Sequence, residues 1–316
     1  MAVDFSGDTA SELYAEGLIF MGHNAEEQDS RNGPVYTVTR PVTFCLRYPW
    51  NRQVYCRDRR ANHVFHVMEA LWMLAGYQYV EFLENFNSNI ATYANDGVIE
   101  GAYGYRWRNH FDYDQLFMAI QRLKTDPSDR QVVIQMWDAN KDLPRTDAKD
   151  RPCNTHIYLR INDACLDMHV INRSNDYLWG ALGSNIVHFT MLQEFLAAAI
   201  GAELGKYYVT TNNLHIYKSY PNLDSIWAAG RTHVPPQTGH LEDIPLVGYD
   251  ENWRDVLNEV QRFICNDQNG GYSRFIDEVA VPMRNWYLDR EHRDHHIDMI
   301  QDGRWKLAIQ YWNRDL

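Results

Sequence analysis

"RPCNTHIYLRINDACLDMHVINRSND", residues 151–176, is the stretch around which the rest of this chain arranges itself. It follows a polar loop, and its "THIYLRIND" alternates polar and apolar side chains as a half-buried strand does. The pattern predicts a hairpin over residues 154–171, turning at Asn162 and Asp163. Cys153 lies ten residues before Asp163 and Arg173 ten after it, so antiparallel pairing brings both to the open end of the hairpin. A guanidinium beside a thiol lowers its pKa and favours the thiolate, the nucleophilic form. The residues alone leave Cys153 open between a nucleophile and a small buried hydrophobe.

Working outward, "NIVHFTMLQEFLAAAIG" (185–201) reads as a long helix and "KYYVTTNNLHIY" (206–217) as a strand. Upstream, "ASELYAEGLIFMG" (10–22) is helical and "PVYTVTRPVTFCLRY" (34–48) is a strand rich in β-branched residues. "NHVFHVMEALWMLAG" places Phe65, Met68, Leu71, Trp72 and Ala75 at helical spacing, with Gly76 as its stop. A second amphipathic helix, "DYDQLFMAIQRLK" (112–124), precedes the strand "RQVVIQMW" (130–137). Near the C-terminus, "NWRDVLNEVQRFI" (252–264) puts Trp253, Val256, Leu257, Val260 and Ile264 on one helix face. Helices and mostly antiparallel strands without a βαβ repeat indicate an α+β fold.

With 316 residues the chain can bury a sizeable core. A formal net charge of −12 argues against nucleic acid as a partner, while local arginines can still bind a small anion. The five cysteines are scattered without a CxxC pair, so neither a disulfide framework nor a zinc knuckle is expected. No basic-then-apolar leader and no membrane-length apolar run is visible, which reads as a cytoplasmic protein with reduced thiols. His292, His295 and His296 have spacing that suits a metal on a helix, but a solvated face explains them better, so no metal is expected.

Five stretches carry a resemblance. "GAYGYRWR" (101–108), "MEALWMLAG" (68–76), "PCN" (152–154), "NRSND" (172–176) and "NNLHIY" (212–217) together resemble the thymidylate synthase superfamily, over roughly residues 10–240. The resemblance implies a single domain over residues 1–316 with a divergent segment from about 250, a mixed sheet with long helices, and a homodimer formed through the sheet. It implies that Cys153 attacks C6 of a pyrimidine nucleoside monophosphate, and that C5 then takes a one-carbon unit from 5,10-methylenetetrahydrofolate. Glu69 would relay protons and Tyr103 would order water near the C5 proton. Arg173, Ser174 and Arg31 would hold the phosphate, with Arg130 lent by the second subunit. His215 and Tyr217 would bond the sugar, and Asp176 and Trp179 would line the folate site. Read without the resemblance, Glu69 is a polar helix residue, Arg31 and Arg130 are surface arginines, and His215 and Tyr217 are a structural pair on a strand.

The departures cluster where the chemistry branches. "IATYAND" (90–96) puts Ile90 and Tyr93 where synthases carry two tryptophans, the first of which shields the exocyclic methylene intermediate from water. Asn154 follows the nucleophile where synthases have histidine. Both changes favour addition of water over hydride, giving a hydroxymethyl product, as in the pyrimidine-nucleotide hydroxymethylases of phages with modified DNA. The base is read by Asn185 or, if the extra residue of "WGALGSN" falls later, by Ser184. An amide can present a donor or an acceptor, so dUMP is favoured with dCMP or CMP open. Gln131 replaces a second phosphate arginine of the partner subunit, a lost charge-assisted bond of about 1.5–3 kcal/mol. The competing functions are a methylating synthase, a cysteine hydrolase and an inactive nucleotide-binding homologue.

Overall fold

The computed structural model describes residues 3–145, 150–230, 236–267 and 269–313. Part of the polar loop before Cys153, residues 146–149, lies outside the described residues. Among the described residues ten strands form two sheets: β1 (Val3–Gly7), β2 (Glu26–Gln28), β3 (Val35–Thr37), β4 (Val42–Leu46), β5 (Val133–Gln135), β6 (Asn154–Asn162), β7 (Cys165–Asn172), β8 (Asn175–Asp176), β9 (Glu203–Thr211) and β10 (Leu214–Tyr217). The main sheet runs β1-β4-β9-β7-β6-β5 and the small one β2-β3-β10-β8. Among the described residues three strand pairs are parallel (β1 with β4, β7 with β9, β8 with β10) and five antiparallel, so the sheets are mixed with antiparallel pairing in the majority, as expected.

Two stretches read as single strands are each divided between the sheets. The first breaks at Arg40 and Pro41, where proline offers no amide to a ladder. The second breaks at Asn212 and Asn213, whose backbones bond Asn172 and Asn175 instead of continuing the strand. At this seam β7 passes into β8 and β9 into β10, and several of the candidate site residues lie beside it.

The hairpin turns one residue later than its pattern suggests. Asn162 pairs with Cys165, and Asp163 (φ 49°) and Ala164 (φ 65°) both take the left-handed conformation of a tight two-residue turn. A bulge between Asn154 and His156 then shifts the register by one. The true centre lies between Asp163 and Ala164, which by itself would set Cys153 opposite Ser174. The bulge restores the match counted from Asp163, and the Arg173 N–H donates to the Cys153 carbonyl at 3.0 Å.

Behind the sheet lies the helix Asn185–Ile200, apolar almost all round and therefore buried almost all round. Gln193 on it donates to the carbonyls of Leu166 and Lys206, beside the irregularity in the β7–β9 ladder. The helix His63–Leu74 packs against it, capped by Asn62, whose side chain accepts the Phe65 N–H. The helix Tyr103–Arg108 approaches so closely that a Cβ on Gly104 would stand 1.9 Å from the Met73 carbonyl oxygen. Only glycine fits there, and that contact places Tyr103.

The buried face of the sheet is layered. Leu159, Met168, Tyr207 and Leu46 align across four strands, then Ile157, Val170, Val209 and Phe44. The next layer toward Cys153 is Asn154, Asn172, Thr211 and Val42. The segment after residue 250 joins the same core, with Val256, Val260, Phe263, Trp286 and Trp305 buried in it.

Candidate active site

Cys153 is half-buried at the mouth of β6. The Arg173 guanidinium is pinned beside it, with Nε donating to the Pro152 carbonyl (2.9 Å) and Nη2 to that of Arg151 (3.0 Å). Nη2 also reaches the Cys153 sulfur at 3.6 Å, and the guanidinium lies over the Trp137 ring. The expected lowering of the thiol pKa is only partial. Burial pushes Cys153 up, Arg173 and Arg31 pull it down, Asp150 opposes them, and the net result is a raised pKa. Desolvation of the thiolate outweighs the two cations.

Glu69 and Tyr103 lie on the two helices behind this thiol. Glu69 Oε2 is 3.1 Å from Nε2 of His188, a residue of the long central helix with its side chain almost wholly buried. Burial, then the charges of Cys153 and Asp150, hold the Tyr103 hydroxyl well above the usual phenol range, so it remains a neutral donor. Asn154 faces that hydroxyl, yet neither polar atom of its amide completes a hydrogen bond. Asp150 accepts the Gly101 N–H at 3.0 Å, and its carboxyl pKa is raised by burial.

The phosphate-binding candidates divide into near and far. Ser174 follows Arg173, and Arg31 is close enough for its charge to act on Cys153. Arg130 is elsewhere. Val133 pairs with Tyr158, so at 3.3 Å per residue it stands about 17 Å along the strand from Cys153. The helix Gln115–Thr125 starts beside Gln135 and carries the chain to the far end of β5, where Arg130 is exposed.

The remaining candidates surround the seam between the sheets. Asn185 Nδ2 donates to Asn175 Oδ1 at 3.3 Å, a pair that Gly180 allows, since a Cβ there would lie 2.0 Å from that oxygen. The Ser184 hydroxyl is committed to the Trp179 carbonyl at 3.1 Å. His215 and Tyr217 stand edge to face, 5.1 Å between centroids, and the Tyr217 hydroxyl accepts from Asn32 at 3.4 Å. Asp176 receives the Trp179 N–H on one oxygen while the other is buried without a partner. Burial raises its pKa, against the pull of His215 and Arg59. Trp179 is half exposed and contacts Phe65. Ile90 and Tyr93 lie on the turn Ser88–Tyr93, with Tyr93 electrostatically coupled to Tyr217, Asp150, Asp176 and Cys153.

Four residues of this site were not singled out in the sequence: Asp150, Asn172, His188 and Thr211. Asp150 sits in a charged stretch, while Asn172 and Thr211 read as ordinary strand residues. His188 is hidden in an apolar helix, where its only signal is polarity among "NIVHFTM". Among the described residues no group of three His, Cys, Asp or Glu could hold a metal, and His292 and His296 instead face Asp289 at 3.0 Å each. No helix among the described residues is long and apolar enough to cross a membrane.

The thymidylate synthase family matches this chain over residues 20–269. The chain belongs to that family. A deoxyuridylate hydroxymethyltransferase of Pseudomonas phage M6 is 36% identical over 94% of this chain and 90% of its own. Another of that name, from Bacillus phage SP01, is 35% identical over 89% of this chain and 75% of its own. A thymidylate synthase of Mycoplasma mobile is 28% identical over 46% of this chain and 49% of its own. Thymidylate synthase family enzymes transfer one carbon from methylenetetrahydrofolate to a pyrimidine nucleotide, and this chain is a one-carbon transferase of that class.

Proposed function

We propose that this chain hydroxymethylates dUMP at C5, using 5,10-methylenetetrahydrofolate and water. The observation that carries the reading is the half-buried thiol of Cys153 bonded by Arg173, beneath a turn bearing Ile90 and Tyr93 instead of indoles. Relatives named deoxyuridylate hydroxymethyltransferase, matched over 90% and 75% of their own length, support uracil as the base and deoxyribose as the sugar. Asn185 reads the base, because the Ser184 hydroxyl is spent on the backbone. The nucleotide phosphate rests on Arg31, Arg173 and Ser174, its sugar on His215 and Tyr217, and the folate against Asp176, Trp179, Ile90 and Tyr93.

In this reading the Cys153 thiolate adds to C6, and the C5 carbanion takes the one-carbon unit from the folate. A water ordered by Tyr103 takes the C5 proton. The C5–H pair forms the exocyclic methylene as the carbon–nitrogen bond to the folate breaks, and the departing nitrogen takes up a proton to give tetrahydrofolate. Water adds to that carbon, and the C5–methylene π pair moves onto the 4-carbonyl as an enolate. The water's proton passes to Glu69. The enolate pair then restores C5=C6 as the C6–S bond breaks and the thiolate leaves. No metal is required by any step.

A homodimer accompanies the reading. The sheet face away from the core presents His156, Tyr158, His169 and Tyr208 as a partly exposed row, and a second copy seated on it would bury the row. Arg130, remote from its own thiol, would serve the partner's site. The enzyme would work in the cytoplasm of a bacterium or a phage-infected host, where the nucleotide and folate are found.

The test is product mass after incubation with methylenetetrahydrofolate and each of dUMP, dCMP, UMP and CMP. A hydroxymethyl product from dUMP without dihydrofolate absorbance is expected. A methyl product with stoichiometric dihydrofolate would replace this reading with that of a synthase.

A further inference from the structure

The sheet's buried face changes character one layer from the nucleophile. The layer of Ile157, Val170, Val209 and Phe44 is wholly apolar, whereas the next places Asn154 opposite Asn172 and Asn172 opposite Thr211. These three side chains are 0%, 1% and 0% exposed. Both amide atoms of Asn172 and the Thr211 hydroxyl have no protein hydrogen-bond partner, and the Asn154 amide completes none by geometry, with only the Tyr103 hydroxyl facing it. In-register neighbours on one face stand about 5 Å apart, so the five atoms form one continuous polar strip. Buried polar groups are satisfied by protein or by ordered water, and a strip lacking the first calls for the second. One end of the strip is at the proposed catalytic residues, where Asn154 faces the Tyr103 hydroxyl and directly follows Cys153.

We propose that Asn154, Asn172 and Thr211 bind a short file of water that positions the molecule attacking the exocyclic methylene. This rests on the hydroxymethylase reading and assigns Asn172 and Thr211 as positioning residues for its water. The row supplies donors and acceptors on three strands of a rigid sheet, so the water is oriented before the methylene forms. The bond made and the fate of the electrons and proton are those given above. The row changes only which nucleophile is nearest.

A competition measures this directly. Wild-type enzyme is incubated with dUMP, methylenetetrahydrofolate and graded 2-mercaptoethanol, whose sulfur can add to the same methylene carbon. The ratio of hydroxymethyl to thioether nucleotide is read by mass. Thr211→Val, which keeps shape and removes the hydroxyl, and Asn172→Leu should each lower that ratio roughly tenfold, as for one lost hydrogen bond to the water. Thr211→Ser should restore it. A purely structural role would slow both products together and leave the ratio alone. An unchanged ratio in Thr211→Val, with wild-type enzyme forming the hydroxymethyl product, overturns the row while sparing the hydroxymethylase. A wild-type enzyme that forms methyl product overturns both.

Discussion

His188 Nε2 lies 3.1 Å from Glu69 Oε2, joining the central helix to the helix that carries the carboxylate. The histidine side chain is 2% exposed and the carboxylate 17%, so the pair runs from the core to the edge of the site. The imidazole nitrogen completes no hydrogen bond to the carboxylate in this geometry, but a buried polar group 3.1 Å away limits how the carboxylate can turn and leaves its other oxygen for the proposed proton relay. His188→Leu should lower kcat about tenfold to a hundredfold, the range of a mispositioned acid–base group. KM for the nucleotide should change far less, because His188 binds no part of it. His188→Gln, which keeps a donor, should recover most of the loss. Steady-state kinetics decide it, and a leucine variant with wild-type kcat removes His188 from the reaction.

Burial sets the Cys153 thiol above its ordinary range, with Arg173 and Arg31 acting downward and Asp150 upward. Alkylation proceeds through the thiolate, so its rate at neutral pH should fall below that of a free cysteine and keep rising above pH 9. Asp150→Asn removes a neighbouring negative charge and should speed alkylation at neutral pH severalfold. Arg173→Gln removes the cation and should slow it. The readout is iodoacetamide labelling of the Cys153 peptide by mass. Equal rates in all three proteins would show that these charges do not govern the thiol.

Arg130 stands too far along the sheet to reach its own nucleophile. Cys153→Ala and Arg130→Ala should each be inactive as pure proteins, and mixtures allowed to exchange subunits should regain activity. One hybrid site of each exchanged dimer then holds both groups. Demonstrated exchange without recovery would count against a shared site.

The hairpin turn offers a test of stability apart from chemistry. Ala164 holds φ 65°, a conformation that costs a residue with a Cβ about 1 kcal/mol or more and glycine almost nothing. Ala164→Gly should therefore raise the urea midpoint of unfolding by an amount equivalent to about 1 kcal/mol, with turnover unchanged. A lower midpoint would mean that glycine's greater freedom in the unfolded chain outweighs the relieved turn.

Local pattern reached far into this protein. Alternation marked the hairpin, 3.6-residue spacing marked the helices His63–Leu74, Gln115–Thr125 and Asn185–Ile200, and the resemblance named the nucleophile and its arginine. The meeting of Cys153 with Arg173 was anticipated by counting from Asp163, half a residue short of the true centre of the hairpin, an error that an unforeseen bulge made good. Division of two apparent strands between sheets was not legible either, because alternation continues across Pro41 and Asn212 while the hydrogen-bond partners change.

What the sequence by itself determined is the set of elements and the chemistry placed on them, since periodicity and residue type are properties of neighbouring positions. Tertiary structure alone decided what surrounds each group. It set the buried histidine against Glu69, the carboxylate of Asp150 near the thiol, and the polar row behind Asn154. It also decided the sign of the thiol's pKa shift. Desolvation depends on every element packed around a group, whereas a neighbouring arginine can be counted from the register of a single hairpin.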